Sequence, residues 1–378
     1  RPVAGCGGNA ARIEPRQRHA TGVVETRRAH LRGCYQGFMS TPRIDGGLGT
    51  RWRSWVAVLR LLWRFQRDVS HRKTFRGTLQ RSNLLLDHYE RRSPVVGTLI
   101  FIHGMSVLGR EDPRVVHLAE ALAAAGYRVL IPDFPSIRAL EIRRQQPDEV
   151  LSQLETLAAD RQLVPGVFLL MAVSFSGVFA LRAACSKRLA PRVSGLCLIG
   201  GYYDVGAVSS FLIRANRSDP YGRLLVLRSY YREVEPQGVA FHRVLDRCIS
   251  ENIEQKNSWS ADQALDRSDP VEGRVYRMLT DPAEREGLEE KVTRAFGEGW
   301  HGYRSKLDFV YRDTPVFLIH GRDDRVIPAG ESKRLARRLA DQKIPAYLCI
   351  TQFLSHGDSA IRLGQWPEMF RLLRGFAW

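Results

Sequence analysis

The chain has 378 residues, 44% of them hydrophobic, enough for one large α/β domain with an insertion and too many for wholesale disorder. Its net charge of +17 suggests nucleic acid, but residues 1–80 hold sixteen Lys/Arg against four Asp/Glu, while the other 298 hold forty-one against thirty-six. No homeodomain, zinc-finger or RNA-recognition pattern accompanies the basic segment, so nucleic acid is excluded as a partner. The six cysteines (Cys6, Cys34, Cys185, Cys197, Cys248, Cys349) show no C-x-x-C and no metal-ligand spacing. They read as reduced thiols, which suits a cytoplasmic location, and no metal or cofactor is expected.

Residues 1–50 are rich in Gly, Ala and Arg without periodicity and read as a disordered basic extension. No apolar run follows the first basic residues, so no signal peptide is expected there, and the first methionine, Met39, is one reading of the natural start. Within a lead-in segment, 51–94, Trp52, Trp55, Val56, Leu59, Leu62, Trp63 and Phe65 recur at helical spacing among Arg53, Arg60, Arg64 and Arg67. That basic amphipathic pattern over 51–67 fits either an anionic membrane surface or a helix packed on the body of the protein. Thr74 to Tyr89 supplies one or two leading strands around Leu84–Leu86.

From 95 onward strands and helices alternate. The apolar run from Val95 to Ile102 is a buried strand ending in His103-Gly104-Met105, followed by a helix from Pro113 to Gly126 and a strand from Tyr127 to Ile131. A helix over Asp148–Ala159 precedes the apolar run Val167–Val173, a short helical pattern follows, and Val193–Ile199 is the next strand. This alternation predicts right-handed crossovers and a mostly parallel sheet with helices on both faces. It breaks over 202–308, a hundred residues of helix-like pattern read as a helical cap inserted into the core. It resumes over 309–378 with strands at 314–319 and 346–350, a helix at 332–339 and a final helix at 367–376, so the core consists of 95–201 and 309–378.

Chemistry concentrates where strands end. Val173-Ser174-Phe175-Ser176-Gly177 joins a buried strand to a helix, with small residues where a sharp turn leaves no room: strand, tight turn and helix with serine at the apex form a nucleophile elbow. Ser174 is the better candidate nucleophile, because a turn centred on Ser176 would put Val178 at a crowded position. A serine hydroxyl needs a base and an acid to orient that base. Asp323 and Asp324 follow the resumed strand and His356 follows the last one, giving the order serine, acid, histidine along one sheet edge. His103 and His320, each before a glycine at a strand end, read as structural hydrogen-bonding residues. Tyr202 and Tyr203 fit a pocket border or core packing equally.

On four motifs, I-H-G-M at 102–105, A-V-S-F-S-G at 172–177, H-G-R-D-D-R-V-I-P at 320–328 and F-L-S-H-G at 353–357, the chain resembles the α/β-hydrolase family from about Val95 to Trp378. The resemblance implies the α/β-hydrolase fold and a serine hydrolase acting on a small-molecule carboxylic ester or thioester. It implies catalytic Ser174, Asp324 and His356, with Asp204, after the strand following the elbow, as an alternative acid. Backbone N–H groups of Met105 and Phe175 would form the oxyanion hole. A thioesterase, lipase or acyltransferase on the same triad is the nearest alternative, and a non-catalytic binding protein with this fold the more distant one. Ala172 and Ser176 stand where the elbow usually has glycines.

Overall fold

The computed structural model describes residues 74–81, 83–91, 95–255, 258–298 and 300–352, all within the unit Gly46–Trp378. The basic extension, the amphipathic 51–67 segment, His356 and the 367–376 helix lie outside the described residues. Eight strands form one sheet in the order β1-β2-β4-β3-β5-β6-β7-β8. They are β1 Thr74–Arg81, β2 Leu84–Arg91, β3 Gly97–Ile102, β4 Tyr127–Pro132, β5 Phe168–Val173, β6 Val193–Ile199, β7 Val316–Gly321 and β8 Ala346–Thr351. The hairpin β1–β2 is antiparallel and β2 runs antiparallel to β4, whereas every pair from β4 to β8 is parallel.

After β3 the chain crosses to β4 on one side and then returns to β5 on the other. The ends of β3 and β5, paired at Ile102 and Ala172, therefore flank a topological switch point, where connecting loops diverge and leave a crevice. Side chains alternate across the sheet. Leu99, Phe101, Val129, Ile131 and Met171 pack on helix α1, Pro113–Ala125, while Ile100, Ile102, Leu130, Leu170 and Ala172 face the other side. That second face is covered by α2 Gln146–Ala159 and α3 Gly177–Cys185. Helices thus lie on both faces, which is why β3 and β5 read as continuous apolar runs.

Between β6 and β7 the described residues form helices and no strand: α4 Val205–Arg214, α5 Pro220–Glu233, α6 Val239–Gln255, α7 Pro270–Thr280, α8 Pro282–Glu298 and short turns. The last long helix described, α9, spans Ala329–Asp341. Four helix starts share one local cause. Asp112-Pro113, Asp219-Pro220, Asp269-Pro270 and Asp281-Pro282 each place an aspartate whose carboxylate accepts an N–H two residues on, before a proline that needs no donor partner. Each such cap contributes about 1 kcal/mol.

Buried Arg223 holds the insertion together. Its guanidinium donates to Leu212 O, Leu279 O, Ala215 O and Ser218 Oγ, gathering the C-terminal ends of α4 and α7, where a cation complements the helix dipoles. Burial, with Arg285 nearby, lowers its pKa to about 10. Among the described residues no helix is long and apolar enough to cross a membrane.

Candidate active site

Ser174 stands at the end of β5 with φ of 57°, left-handed for a non-glycine residue, and is followed by a tight 3-10 turn over Ser174–Ser176 before α3. An L residue held there stores about 1–2 kcal/mol, which the packed strand and helix on either side must sustain. Ala172 is fully buried, as the small-residue pattern requires. Ser176 is also fully buried and donates its hydroxyl to His103 O at 2.7 Å. That bond ties the elbow to the end of β3 and leaves Ser174 as the half-buried serine of the turn. A Cβ on Gly177 would lie 3.4 Å from Gly201 Cα, so glycine there lets α3 abut the loop after β6.

The sheet edge supplies candidate amide donors. Phe175 is the second residue of the helical segment that starts at Ser174, where N–H groups have no preceding carbonyl in the helix to bond. The Met105 amide is oriented by His103. The His103 Nδ1 lies 3.0 Å from Gly104 O, which can only accept, and Nε2 receives the Phe134 N–H at 3.4 Å. The ring is thus the neutral Nδ1–H tautomer, and burial pushes its pKa down, favouring that form. In a trans peptide the C=O and the following N–H point opposite ways, so tying Gly104 O back to the ring turns the Met105 N–H away from it. Gly104 itself faces the elbow: a Cβ there would lie 3.9 Å from Ser174 Cβ.

Of the three aspartates, Asp324 lies beside the elbow. Gly200, in the loop after β6 with φ of +67°, is the common neighbour: a Cβ there would lie 3.7 Å from Asp324 Oδ2 and 3.9 Å from Ser174 Cα. The other oxygen, Oδ1, accepts the N–H groups of Val326 and Ile327 at 2.8 and 2.9 Å, which fixes the carboxylate. Asp323 is exposed. Asp204 caps α4 by accepting from Gly206 N and Ala207 N, and lies 3.7 Å from Arg334. His356, five positions beyond the end of β8, belongs to the residues the structure does not describe.

Both strand-end histidines are buried and bonded. His320 Nε2 donates to Ile327 O at 2.8 Å and lies 3.6 Å from Asp324 Oδ2, while Nδ1 meets Ser332 Oγ at 2.6 Å. Ser332 also reaches Gly201 O, and the buried Glu331 carboxylate accepts from Tyr203 N and Asp204 N. The start of α9 therefore holds both the Asp324 loop and the glycine loop between Asp324 and Ser174. Tyr202 is buried, packs its ring against Phe175 and donates its hydroxyl to Tyr303 O at 3.2 Å, whereas Tyr203 is partly buried and carries Arg338 over its ring. Cys185, Cys197 and Cys248 have their thiols pushed up to about 12 by burial, so none is a rival nucleophile at neutral pH.

Sequence reasoning missed Gly200, Ser332 and Tyr221, the last an α5 residue whose hydroxyl lies 3.5 Å from Met105 O. The Gly200-Gly201 pair signals a turn but not its neighbours, and nothing local marks the other two.

The profile of the alpha/beta hydrolase family matches residues 99–357. The chain belongs to that family. Comparison with curated proteins by sequence finds no match. Among solved structures the fold is similar to carboxyl esterase 2 of the fungus Tuber melanosporum, at 14% identity and TM-score 0.43 over 82% of this chain and 88% of that one. It is similar to an epoxide hydrolase of Vigna radiata, at 14% identity and TM-score 0.41 over 75% and 92%. It is similar also to the acylaminoacyl peptidase of Pyrococcus horikoshii, at 13% identity and TM-score 0.42 over 80% of this chain. That match spans 40% of the peptidase, less than half its length.

Proposed function

We propose that the protein is a serine hydrolase that cleaves a carboxylic ester or thioester through Ser174, His356 and Asp324. The observation that carries this reading is the convergence at Gly200: a serine at φ 57° and a carboxylate held by two amides border the same glycine, at matching strand ends. His356 enters by its place in the chain after β8, completing the order serine, acid, histidine.

His356 takes the Ser174 proton as Oγ attacks the acyl carbon, and Asp324 orients the imidazole and offsets its developing charge. The N–H groups of Met105 and Phe175 receive the oxyanion. The C–O or C–S bond then breaks and His356 protonates the leaving group. Water attacks the acyl-enzyme with His356 as base, the free acid departs, and the Ser174 hydroxyl is restored. The helical insertion serves as a cap over these strand ends.

The test is labelling of the purified protein by a fluorophosphonate probe, with the modified peptide located by mass spectrometry. Adduct on Ser174 that disappears in Ser174→Ala is the expected result. Labelling that persists in a folded Ser174→Ala protein overturns the assignment.

A further inference from the structure

The N-terminal turn of α5 touches two loops of the site at once. Asp219 N–H donates to Arg325 O at 2.8 Å and Arg325 Nε donates to Arg217 O at 2.9 Å, so the turn is bonded to the loop that carries Asp324. Gly222 allows close packing: a Cβ there would meet Leu212 at 2.7 Å and Val326 Cγ1 at 3.4 Å. Between these anchors Tyr221, its N–H capped by Asp219 Oδ1, sends its hydroxyl across to Met105 O. Backbone bonds thus fix the base of its side chain relative to the Asp324 loop, and its hydroxyl spans from there to the candidate oxyanion loop.

Among the described residues the hydroxyl has one hydrogen-bond partner, and a weak one. At 3.5 Å the contact with Met105 O is at the outer limit for an O–H donor, whose preferred range is about 2.5–3.0 Å. A hydroxyl so placed exchanges this partner for a nearer oxygen at small cost, and hydrogen bonds of catalytic groups are commonly long until substrate arrives.

We infer that Tyr221 is a further catalytic residue, a donor from the insertion that hydrogen-bonds the substrate's carbonyl oxygen as it becomes an oxyanion beside the Met105 N–H. The inference rests on the serine-hydrolase reading above. No proton leaves the phenol: burial raises its pKa above the ordinary tyrosine range, so it remains a donor across the working range of an esterase. A donor whose bond strengthens as charge develops lowers the barrier without tightening ground-state binding, so its loss falls on kcat rather than KM.

The experiment compares wild type, Tyr221→Phe and Ser174→Ala on p-nitrophenyl butyrate, with fluorophosphonate labelling and thermal unfolding measured on each. Phenylalanine fills the same space and the lost bond is weak, so Tyr221→Phe keeps the wild-type unfolding midpoint. Its kcat falls about 10- to 100-fold with KM within threefold, and Ser174 still labels to completion. Unchanged kcat in Tyr221→Phe, beside a wild type that labels and turns over, overturns the inference and leaves the hydrolase reading standing. A rise in KM alone also overturns it, assigning the hydroxyl to substrate binding. A wild type that neither labels nor turns over removes both together.

Discussion

The backbone at Ser174 makes a prediction that does not depend on activity. At an ordinary helical site alanine is more stable than glycine by about 0.5–1 kcal/mol, because glycine loses more freedom on folding. At φ 57° the ranking reverses. Ser174→Ala keeps a Cβ in the left-handed region and carries its penalty of about 1–2 kcal/mol, whereas Ser174→Gly is free of it. Subtracting glycine's unfolded-state entropy leaves Ser174→Gly more stable than Ser174→Ala by about 0.5–1 kcal/mol. Both variants lack the Ser174 hydroxyl, so a functional difference cannot confound the comparison. Urea unfolding followed by circular dichroism measures it, with equal slopes required before midpoints are compared. Ser174→Ala more stable than Ser174→Gly by 0.5 kcal/mol or more would refute the reasoning, since residue 174 would then not be strained and the elbow would not have its sharp turn.

Other variants separate neighbouring residues of the same type. Ser176→Ala leaves His103 O without its donor and lowers unfolding free energy by about 1–3 kcal/mol, yet Ser174 should still take the fluorophosphonate; absence of a stability loss by denaturation would contradict the buried bond. Asp204→Ala removes a helix cap and costs about 1 kcal/mol with activity retained, whereas Asp324→Asn lowers kcat by about 10³- to 10⁴-fold; the opposite pattern of steady-state rates would transfer the acid's role to Asp204. The depressed pKa of buried His103 means the unfolded chain binds its proton more readily, so its contribution to stability is complete above about pH 6.5 and declines as pH falls below it. Unfolding free energies between pH 7.5 and 5 should therefore drop less steeply in His103→Asn than in wild type, and parallel slopes would refute the link.

Much of the fold is legible because its causes are local. The apolar runs at 95–102 and 167–173 read as strands because both faces of β3 and β5 are covered, and small residues around Ser174 mark a turn whose sharpness is a steric matter. The four Asp-Pro dipeptides carry the start of α1 and of three insertion helices in two adjacent residues each, so helices left undivided by apolar periodicity alone were nonetheless written in the chain. Preferring Asp324 to Asp323 rests on the family resemblance of the 320–328 motif; in the structure Asp324 Oδ1 accepts two amides and Asp323 is exposed.

What stayed hidden depends on partners distant in sequence. Ser176 donates to a carbonyl 73 residues earlier, a distance closed by the crossing of β3 to β4 and back to β5, and Tyr221, in the insertion after β6, reaches one 116 residues earlier. Gly200 reads as a turn glycine, and its place between Ser174 and Asp324 follows from β6 lying between β5 and β7. Nothing local marks Arg223 as buried; it is so because the C-terminal ends of α4 and α7 converge on it with carbonyls no helix bond can satisfy. The sequence by itself determined the alternation of strands and helices from β3 to β6 and the small-residue turn at Ser174. Only the tertiary structure decided that Ser174 and Asp324 both border Gly200 and that Tyr221 reaches Met105 O, because strand order, not chain order, sets the neighbours at a sheet edge.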